Sequence, residues 1–169
     1  MDILRNRIDI PEGLYGITGD NFANGKSNYQ CVEEMIKGGI KIVQYRDKRK
    51  NSREKVEEAG AIRELCRKNN VLFIVNDDVA IAMLIDADAV HVGQEDMKPS
   101  DVRKLLGENK IIGLSTHSEE QGMAAYNDID VDYIGVGPIF PTTTKDTAPV
   151  GLGYLEFAVK NLHLPFIAI

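Results

Sequence analysis

The sequence has few cysteines, and this scarcity excludes two classes of stabilised fold. Among 169 residues there are 2 cysteines, Cys31 and Cys66, and they do not form a CxxC pair. Both fall on the apolar stripes of predicted helices, where a buried free thiol is the simplest interpretation. Neither a disulfide framework nor a zinc site is expected.

The sequence also has fewer basic than acidic residues. The chain carries 20 Lys and Arg residues against 26 Asp and Glu residues, which gives a formal net charge of −6. Because proteins that bind nucleic acids usually carry a basic excess, we expect no nucleic-acid partner. The acidic balance means that any phosphate site has to gather its cations locally.

Long apolar runs are absent throughout the sequence. Residues 1–12 mix charges with isolated apolar residues, so no secretory signal is visible. No run approaches the roughly 18 apolar residues that a membrane span needs. We therefore expect a cytoplasmic protein with no membrane partner.

Short apolar runs alternate with helical patterns along the whole chain. Ser27 with Gln30, and Asn51 with Glu54, have the form of capping boxes that open helices. The expected strands are 14–18, 40–43, 71–75, 89–92, 111–114, 133–136 and 165–169, and helix six is expected over about 153–161. Repeated βα units of this kind fit either a doubly wound parallel sheet or an eight-stranded barrel.

Polar residues directly follow five consecutive apolar runs. The polar segments are Gln44–Lys48, Asn76–Asp78, Gly93–Asp96, Ser115–His117 and Gly137–Lys145. The carboxyl ends of parallel strands meet at one end of a barrel, whereas an open sheet concentrates its site at one switch point. The spread over five strands therefore favours an α/β fold of the TIM-barrel type, with one domain over residues 1–169.

Three polar side chains after the second run form the first candidate site. Gln44, Arg46 and Lys48 alternate, so on an extended segment they share one face. An amide and two cations on one face can clamp phosphoryl oxygens, with Arg as a planar fork and Lys as a point charge. The alternative is a solvated charged turn, since Asp47, Arg49 and Lys50 lie beside them.

Two carboxylates form the second candidate site. Asp77 and Asp96 follow neighbouring predicted strands, so their side chains can converge. Two hard oxygen ligands without nearby cysteine indicate Mg²⁺, which takes one or two carboxylates together with substrate phosphates and water. The alternative for each is a turn or a helix cap, and a cap is the common role at the helix start Asp77-Asp78.

Hydroxyl groups and one ammonium group form the third candidate site. Thr142, Thr144 and Lys145 lie in the longest loop and can hold a phosphate, although a threonine-rich loop is often only a loop. Ser115 can donate to a phosphate or cap the following helix. Together with the cations and carboxylates, these residues describe a diphosphate held by Mg²⁺ and basic side chains.

Other chemistries find little support in the sequence. His91 lies within a strand and is expected to be packed, and His117 is expected to be a loop residue. No nucleophile elbow accompanies them, which argues against a hydrolytic triad. Gly135-Val-Gly137 lacks the GxGxxG pattern after a first strand, which argues against a dinucleotide site.

In combination, these segments resemble the thiamine-phosphate synthase family, also called thiamine-phosphate pyrophosphorylase. The resemblance extends from about Leu14 to Ile169. Its motifs are Gln44–Lys48, Asn76–Asp78, His91–Asp96, Gly113–His117, Gly135–Lys145 and Pro149–Leu152. It implies a (βα)8 barrel that joins hydroxymethylpyrimidine diphosphate to a thiazole phosphate, giving thiamine phosphate and pyrophosphate.

The resemblance also implies a role for each candidate residue. Asp77 and Asp96 would hold Mg²⁺, and Thr142, Thr143 and Thr144 would face the thiazole phosphate. The pyrimidine diphosphate would be bound by Gln44, Tyr45, Arg46, Asp47, Lys48, Asn76, Ser115 and Lys145.

The sequence ends at Ile169, inside the seventh apolar run, where the family continues into a glycine-rich loop and strand eight. We therefore expect a barrel truncated after strand seven, with the half-site for the thiazole phosphate incomplete. The unpaired edges of strands one and seven would then favour pairing with another chain, as in a homo-oligomer. A 169-residue molecule is expected to be a poor enzyme unless those edges are paired.

Two rival functions remain open on the sequence. Thiazole tautomerases share the barrel, but they use a histidine in the strand-six loop, where this chain has Gly137-Pro138. A non-catalytic protein that binds a phosphorylated metabolite is the second rival. Another phosphate-binding barrel enzyme is a more general alternative.

Overall fold

The computed structural model describes residues 10–19, 24–143 and 148–169. Strands and helices alternate, as the sequence predicts. The strands are β1 (Tyr15–Ile17), β2 (Ile42–Tyr45), β3 (Leu72–Asn76), β4 (Ala89–Val92), β5 (Ile111–Thr116), β6 (Tyr133–Val136) and β7 (Phe166–Ala168). The helices are α1 (Asn28–Lys37), α2 (Ser52–Lys68), α3 (Val79–Leu84), α4 (Pro99–Leu106), α5 (Glu119–Asn127) and α6 (Gly151–Asn161).

The strand order distinguishes the two architectures that the sequence leaves open. Strands β1 to β7 follow one another in the sheet in chain order. The pairs β1–β2, β2–β3, β5–β6 and β6–β7 are all parallel. A doubly wound sheet reverses its strand order at a switch point, and no reversal occurs here. The fold is therefore of the barrel type that the sequence predicts.

Two compact units make up the described residues. The amino-terminal unit comprises residues 10–90 and 105–110, and the carboxy-terminal unit comprises residues 91–104 and 111–169. The assignment of residues 1–169 to a single domain stays a prediction. None of the helices in the described part of the chain has the length and apolar character needed to cross a membrane.

Both predicted capping boxes are confirmed. The Gln30 N–H donates to Ser27 Oγ at 3.2 Å and the Ser27 N–H donates to Gln30 Oε1 at 2.9 Å. Asn51 and Glu54 exchange the same pair of bonds at 3.1 and 3.0 Å. Each box satisfies amide groups that the first turn of its helix leaves without a partner, so helix starts α1 and α2 are fixed locally.

Each unit has its own apolar core. In the amino-terminal unit, α2 contacts both α1 and β3. The fully buried side chains of this unit include Val32, Ile42, Val43, Ala59, Ile62, Cys66, Phe73 and Ile74. In the carboxy-terminal unit, α5 and α6 cover β6, and the core comprises Ala125, Val131, Ile134, Val136, Ile139, Tyr154, Ala158, Leu162 and Leu164. Burial of this apolar surface is the main force that holds each unit together.

An arginine–aspartate pair closes the start of β6 in the carboxy-terminal unit. Asp132 Oδ2 accepts a hydrogen bond from the Ile112 N–H of β5 at 2.8 Å and from Arg103 Nη2 at 2.7 Å. The Arg103 side chain is 9% exposed and also donates to the Asp130 carbonyl oxygen at 3.1 Å. One buried cation thus ties α4 to the beginning of the β5–β6 pair.

The amino-terminal unit has a similar arginine–aspartate pair at the start of a strand. Asp88 precedes β4, and its Oδ2 accepts from the Phe73 N–H of β3 at 2.9 Å. Arg63 of α2 pairs with Asp88 Oδ1 at 2.9 Å. Each aspartate therefore accepts a hydrogen bond from the N–H of a neighbouring strand and pairs with an arginine from a helix.

Removing the Arg103 cation is expected to destabilise the protein strongly. Arg103→Ala leaves the largely buried Asp132 carboxylate without its positive partner, which typically costs about 3 kcal/mol of unfolding free energy. Urea denaturation of both proteins measures this loss. Arg67→Ala is the matched control, because the Arg67–Glu64 pair is 61% and 55% exposed and solvent screening should leave it little effect on stability. Equal losses of unfolding free energy in the two variants would contradict a special contribution from the buried Arg103–Asp132 pair.

Candidate functional site

Side chains at the end of β2 alternate between two sides, as the strand pattern requires. Gln44 is buried, and its Nε2 donates to the Tyr15 hydroxyl oxygen of β1 at 2.6 Å. The next side chain, Tyr45, donates its hydroxyl to Glu58 Oε2 of α2 at 2.9 Å. Arg46 follows the last residue of β2. The predicted common face of Gln44, Arg46 and Lys48 stays a prediction.

Thr18, which the sequence patterns do not indicate as a site residue, fixes the backbone of Arg46. The Arg46 N–H donates to Thr18 Oγ1 at 2.8 Å, and the Thr18 hydroxyl donates to the Arg46 carbonyl oxygen at 3.0 Å. Thr18 is 3% exposed. It is the last residue of the expected strand 14–18 and directly follows the observed strand β1, so its position resembles that of the other polar segments.

A buried ionic network holds the loop that follows β2. Asp47 Oδ1 accepts from the N–H groups of Arg49 and Lys50 at 2.9 and 2.8 Å, and Asp47 Oδ2 accepts from Asn28 Nδ2 and Lys50 Nζ at 3.1 and 3.0 Å. Glu58 Oε2 accepts from the same Asn28 and Lys50 groups at 3.0 and 2.8 Å. These bonds give the loop one defined shape.

This network bears on two of the predicted ligand contacts. Tyr45 and Asp47 are both bonded within the network through their side chains. The observed bonds therefore support a role for both residues in shaping the loop that carries Lys48. Their direct contact with a pyrimidine diphosphate stays a prediction.

The network also changes the acidity of Asp47. Burial by itself raises the pKa of the Asp47 carboxyl, but the hydrogen bonds from the Lys50 backbone and side chain and from the Arg49 N–H outweigh it and lower the pKa from 3.8 to about 2. The pKa of Lys50 is raised although burial opposes this, because Lys50 donates to Glu58 and Asp47. The two opposite charges therefore stabilise each other in the folded state.

A pH-dependent loss of stability is expected from Asp47→Asn. A carboxyl whose pKa is lower in the folded than in the unfolded state stabilises the fold above the unfolded pKa, and this contribution disappears as the pH falls to about 2. We expect Asp47→Asn to lower the unfolding free energy by about 2 kcal/mol at pH 7 and by roughly half as much at pH 3. Urea denaturation across this range measures the difference.

The control for this variant is Asp101→Asn, whose ion pair with Lys104 is 51% and 74% exposed. It should leave the unfolding free energy nearly unchanged at either pH, because solvent screens an exposed ion pair. A loss for Asp47→Asn that is the same at pH 3 and pH 7 would contradict a contribution from the ionised carboxyl.

The structure brings two predicted site residues into direct contact. Lys48 Nζ lies 2.6 Å from Asp77 Oδ2. Asp77 follows β3 with a left-handed backbone, at a φ of 59°. Few residues other than glycine adopt this conformation, although Asp and Asn tolerate it, and such positions concentrate at functional sites. The chain turns sharply here and holds the Asp77 carboxylate beside the Lys48 ammonium.

The neighbours of Asp77 separate the alternatives that the sequence leaves open. Asp78, not Asp77, is the N-cap of α3, and its Oδ1 accepts from the Ile81 N–H at 3.2 Å. Asn76 is the last residue of β3 and is partly buried. The helix-cap interpretation therefore applies to Asp78 and leaves Asp77 for another role.

Asp96 closes a tight turn after β4. Its Oδ2 accepts from the Gly93 N–H at 2.7 Å. Asp96 precedes α4 by three residues and does not cap that helix, since α4 begins at Pro99. The turn presents Asp96 at a fixed place, and its second oxygen, Oδ1, can serve as a ligand.

Ser115 lies at the end of β5, 8% exposed, with its hydroxyl oxygen 2.9 Å from His91 Nε2. The His91 Nδ1 is 2.9 Å from the hydroxyl oxygen of Tyr133 on β6. Gln94 Nε2 donates to the Ser115 carbonyl oxygen at 2.7 Å. Ser118 caps α5, so the capping alternative for Ser115 does not apply.

The loop after β6 carries the predicted threonines. Thr142 is partly buried and Thr143 is exposed, while Thr144 and Lys145 lie outside the described residues. The loop begins beside His117, whose Nδ1–H donates to the Gly137 carbonyl oxygen at 2.5 Å. His117 is therefore not only a loop residue, because it ties the end of β5 to the start of this loop.

The donor chemistry fits a magnesium ion bound jointly with a substrate. Within the described ranges, no three His, Cys, Asp or Glu side chains are grouped to hold a metal by themselves. Asp77 in the amino-terminal unit and Asp96 in the carboxy-terminal unit each offer a carboxylate oxygen. Mg²⁺ prefers such ligands and commonly completes its shell with substrate phosphates and water, so each side chain by itself has suitable chemistry. Their joint binding of Mg²⁺ stays a prediction.

Comparison with known proteins agrees with this chemistry. The family model described as thiamine monophosphate synthase matches residues 14–169. A thiamine-phosphate synthase of Pelotomaculum thermopropionicum is 54% identical over 158 residues, which cover 92% of this chain and 72% of that protein. A thiamine-phosphate synthase of Caldicellulosiruptor saccharolyticus is 47% identical, again over 92% of this chain and 71% of the relative.

A solved structure supports the fold as well as the family. The thiamine phosphate pyrophosphorylase of Pyrococcus furiosus superposes with a TM-score of 0.82 at 35% sequence identity, over 92% of this chain and 73% of that one. Its likeness agrees with the barrel order of the seven strands. The chain belongs to the thiamine monophosphate synthase family.

Proposed function

We propose that this chain joins 4-amino-2-methyl-5-hydroxymethylpyrimidine diphosphate to 4-methyl-5-(2-phosphooxyethyl)thiazole and releases thiamine phosphate and pyrophosphate. Family membership makes the chain a transferase of thiamine biosynthesis. The observation that carries the proposal is the family match over residues 14–169, which includes every proposed ligand residue.

The proposed roles divide the polar residues between the two substrates. Thr142, Thr143 and Thr144 would bind the thiazole phosphate. The pyrimidine diphosphate would be bound by Gln44, Tyr45, Arg46, Asp47, Lys48, Asn76, Ser115 and Lys145. The hydrogen bonds that hold Gln44, the Arg46 backbone and Ser115 in place support this proposal, because preorganised donors bind an anion without a further ordering cost.

Asp77 and Asp96 would hold Mg²⁺, which supplies positive charge to the diphosphate when bound. The pairing of Asp77 with Lys48 supports a mixed site, because the same carboxylate can face both an ammonium group and a metal ion.

The chemistry requires stabilisation of a leaving group rather than a protein nucleophile. As the C–O bond of the pyrimidine diphosphate breaks, negative charge grows on the departing pyrophosphate oxygens. Arg46, Lys48 and Lys145 would bind these oxygens most strongly in the transition state, which lowers the barrier. The thiazole nitrogen then captures the electron-rich pyrimidine cation, so no side chain needs to form a covalent intermediate.

The decisive experiment is a thiamine phosphate assay with both precursors, with and without EDTA. We expect formation of thiamine phosphate and pyrophosphate only when both precursors and Mg²⁺ are present. Isomerisation of the thiazole phosphate without condensation would instead identify a tautomerase. Binding of the pyrimidine diphosphate without any turnover would identify a metabolite-binding protein, and either result would overturn the proposal.

The partners, the cellular location and the oligomeric state are also proposed. The two small-molecule substrates and Mg²⁺ are the expected partners. A cytoplasmic location and a homo-oligomeric state stay predictions from the sequence.

A further inference from the structure

Both ring nitrogens of His91 are hydrogen-bonded, whereas the sequence predicts only a packed side chain. His91 Nε2 is 2.9 Å from Ser115 Oγ, and His91 Nδ1 is 2.9 Å from the Tyr133 hydroxyl oxygen. The three residues come from β4, β5 and β6 and are 9%, 8% and 1% exposed. They form a buried row, Tyr133–His91–Ser115, that ends at a residue of the proposed site.

Gly113 of β5 makes room for this row. Gly113 pairs with Tyr133 in the β5–β6 register. A Cβ atom on Gly113 would lie 2.2 Å from Tyr133 Cζ and 2.5 Å from His91 Nδ1. A Cβ atom on Gly135 would make only ordinary contact, at 3.4 Å from His91 Cε1. Strand β5 thus lacks a side chain at position 113, where the two rings lie.

The direction of the hydrogen bonds decides what Ser115 offers to a ligand. Neutral histidine donates from one ring nitrogen and accepts at the other. If the Tyr133 hydroxyl donates to Nδ1, then Nε2–H donates to Ser115 Oγ, and the hydroxyl proton of Ser115 remains for the ligand. In the opposite tautomer, Nδ1–H donates to the Tyr133 hydroxyl oxygen and the Ser115 hydroxyl donates to Nε2. Only an oxygen lone pair of Ser115 would then face the ligand.

We propose that Tyr133 and His91 are positioning residues that fix the Nε2–H tautomer of His91 and thereby turn the Ser115 hydroxyl proton toward the bound anion. The inference rests on the proposed function in one respect, namely that Ser115 contacts the pyrimidine diphosphate. A phosphate oxygen can only accept a hydrogen bond, so the binding partner must donate. The row supplies a donor at a position with little conformational freedom.

The first test uses the unmodified protein and does not depend on activity. Nitrogen-15 NMR distinguishes a protonated from an unprotonated imidazole nitrogen. The chain has 3 histidines, so loss of one set of signals in His91→Asn assigns His91. We expect the Nε2–H tautomer at pH 7, and either the Nδ1–H tautomer or the imidazolium would overturn the proposal.

The second test is a double-mutant cycle on kcat/KM for the pyrimidine diphosphate. Ser115→Ala should lower this value about 30-fold, as expected for a hydrogen bond to a charged group. Tyr133→Phe keeps the ring, removes one hydroxyl and should lower kcat/KM about fivefold. In Ser115→Ala, adding Tyr133→Phe should change it by less than about twofold, because the hydroxyl acts through Ser115.

Tyr154→Phe is the matched control in the same unit. Tyr154 is also buried, and its hydroxyl donates to Thr116 Oγ1, next to Ser115, at 2.6 Å. Both Tyr→Phe variants should lose similar stability, but Tyr154→Phe should keep the kcat/KM of the parent chain. Equal kinetic effects of the two variants, or multiplicative effects in the cycle, would reduce Tyr133 to a structural residue and overturn the proposal.

The outcomes also separate this inference from the proposed function. If the chain forms no thiamine phosphate, the proposed function fails, and the NMR measurement still decides the tautomer. If Ser115→Ala lowers kcat/KM and Tyr133→Phe does not, the proposed function stands and the role of the row is refuted.

Discussion

Asp77→Asn should lower the rate of thiamine phosphate formation by about 100- to 1,000-fold, corresponding to about 3–4 kcal/mol of transition-state stabilisation. Asn matches Asp in size and tolerates the left-handed backbone at this position, where φ is 59°. The substitution therefore removes the negative charge without adding backbone strain. An alanine at this position would add such strain. The expected loss reflects weaker Mg²⁺ binding, so the Mg²⁺ concentration for half-maximal rate should rise.

The adjacent aspartate supplies a close control. Asp78 caps α3 through Oδ1, and an Asn side chain caps a helix about as well. Asp78→Asn should therefore keep both the rate and the thermal transition of the parent chain. The pairing of Lys48 with Asp77 is 50% and 27% exposed, so its loss in Asp77→Asn should cost less than about 1 kcal/mol of stability. An unchanged rate and Mg²⁺ dependence in Asp77→Asn would remove this residue from the metal site.

Asp96→Asn should lower the rate by about 1,000-fold at millimolar Mg²⁺, because it removes the second proposed carboxylate ligand. The Asn side-chain oxygen can still accept the Gly93 N–H, which Asp96 Oδ2 accepts at 2.7 Å. The turn after β4 should therefore persist, and the loss should come from the missing charge. Rates measured over a range of Mg²⁺ concentrations, with circular dichroism to confirm the fold, test this expectation.

Glu95→Gln is the control for this second variant, since it removes one negative charge from the neighbouring exposed residue. It should change the rate by less than about twofold, because an exposed charge outside the site is screened by solvent. Similar losses for Glu95→Gln and Asp96→Asn would indicate a general effect of acidic charge rather than a ligand role.

Much of the fold follows from local patterns in the sequence. The two capping boxes, the apolar stripes of α1 and α2, and all seven strands lie within a few residues of their expected places. Differences occur at element ends. Helix α6 begins at Gly151 rather than near residue 153, and β5 continues to Thr116 rather than ending at Leu114. Ends depend on tertiary contacts that periodicity does not describe.

The signal that identifies most of the candidate residues is a polar residue after an apolar run. Gln44, Lys48, Asp77, Asp96 and Ser115 all lie at strand ends or in the following turns. The same signal applies to Thr18, but one hydroxyl after a strand is too common to indicate a function. Roles for individual residues came from the family resemblance, since neighbouring carboxylates such as Asp77 and Asp78 look alike in a sequence.

The sequence by itself determined the elements and their order, because helix caps and hydrophobic periodicity act between residues close along the chain. Only the tertiary structure decided which polar groups meet. Thr18 and Arg46 are 28 residues apart, and His91 and Tyr133 are 42 apart. Their hydrogen bonds depend on the register between strands, such as Gly113 opposite Tyr133, and register is set by packing across the whole sheet.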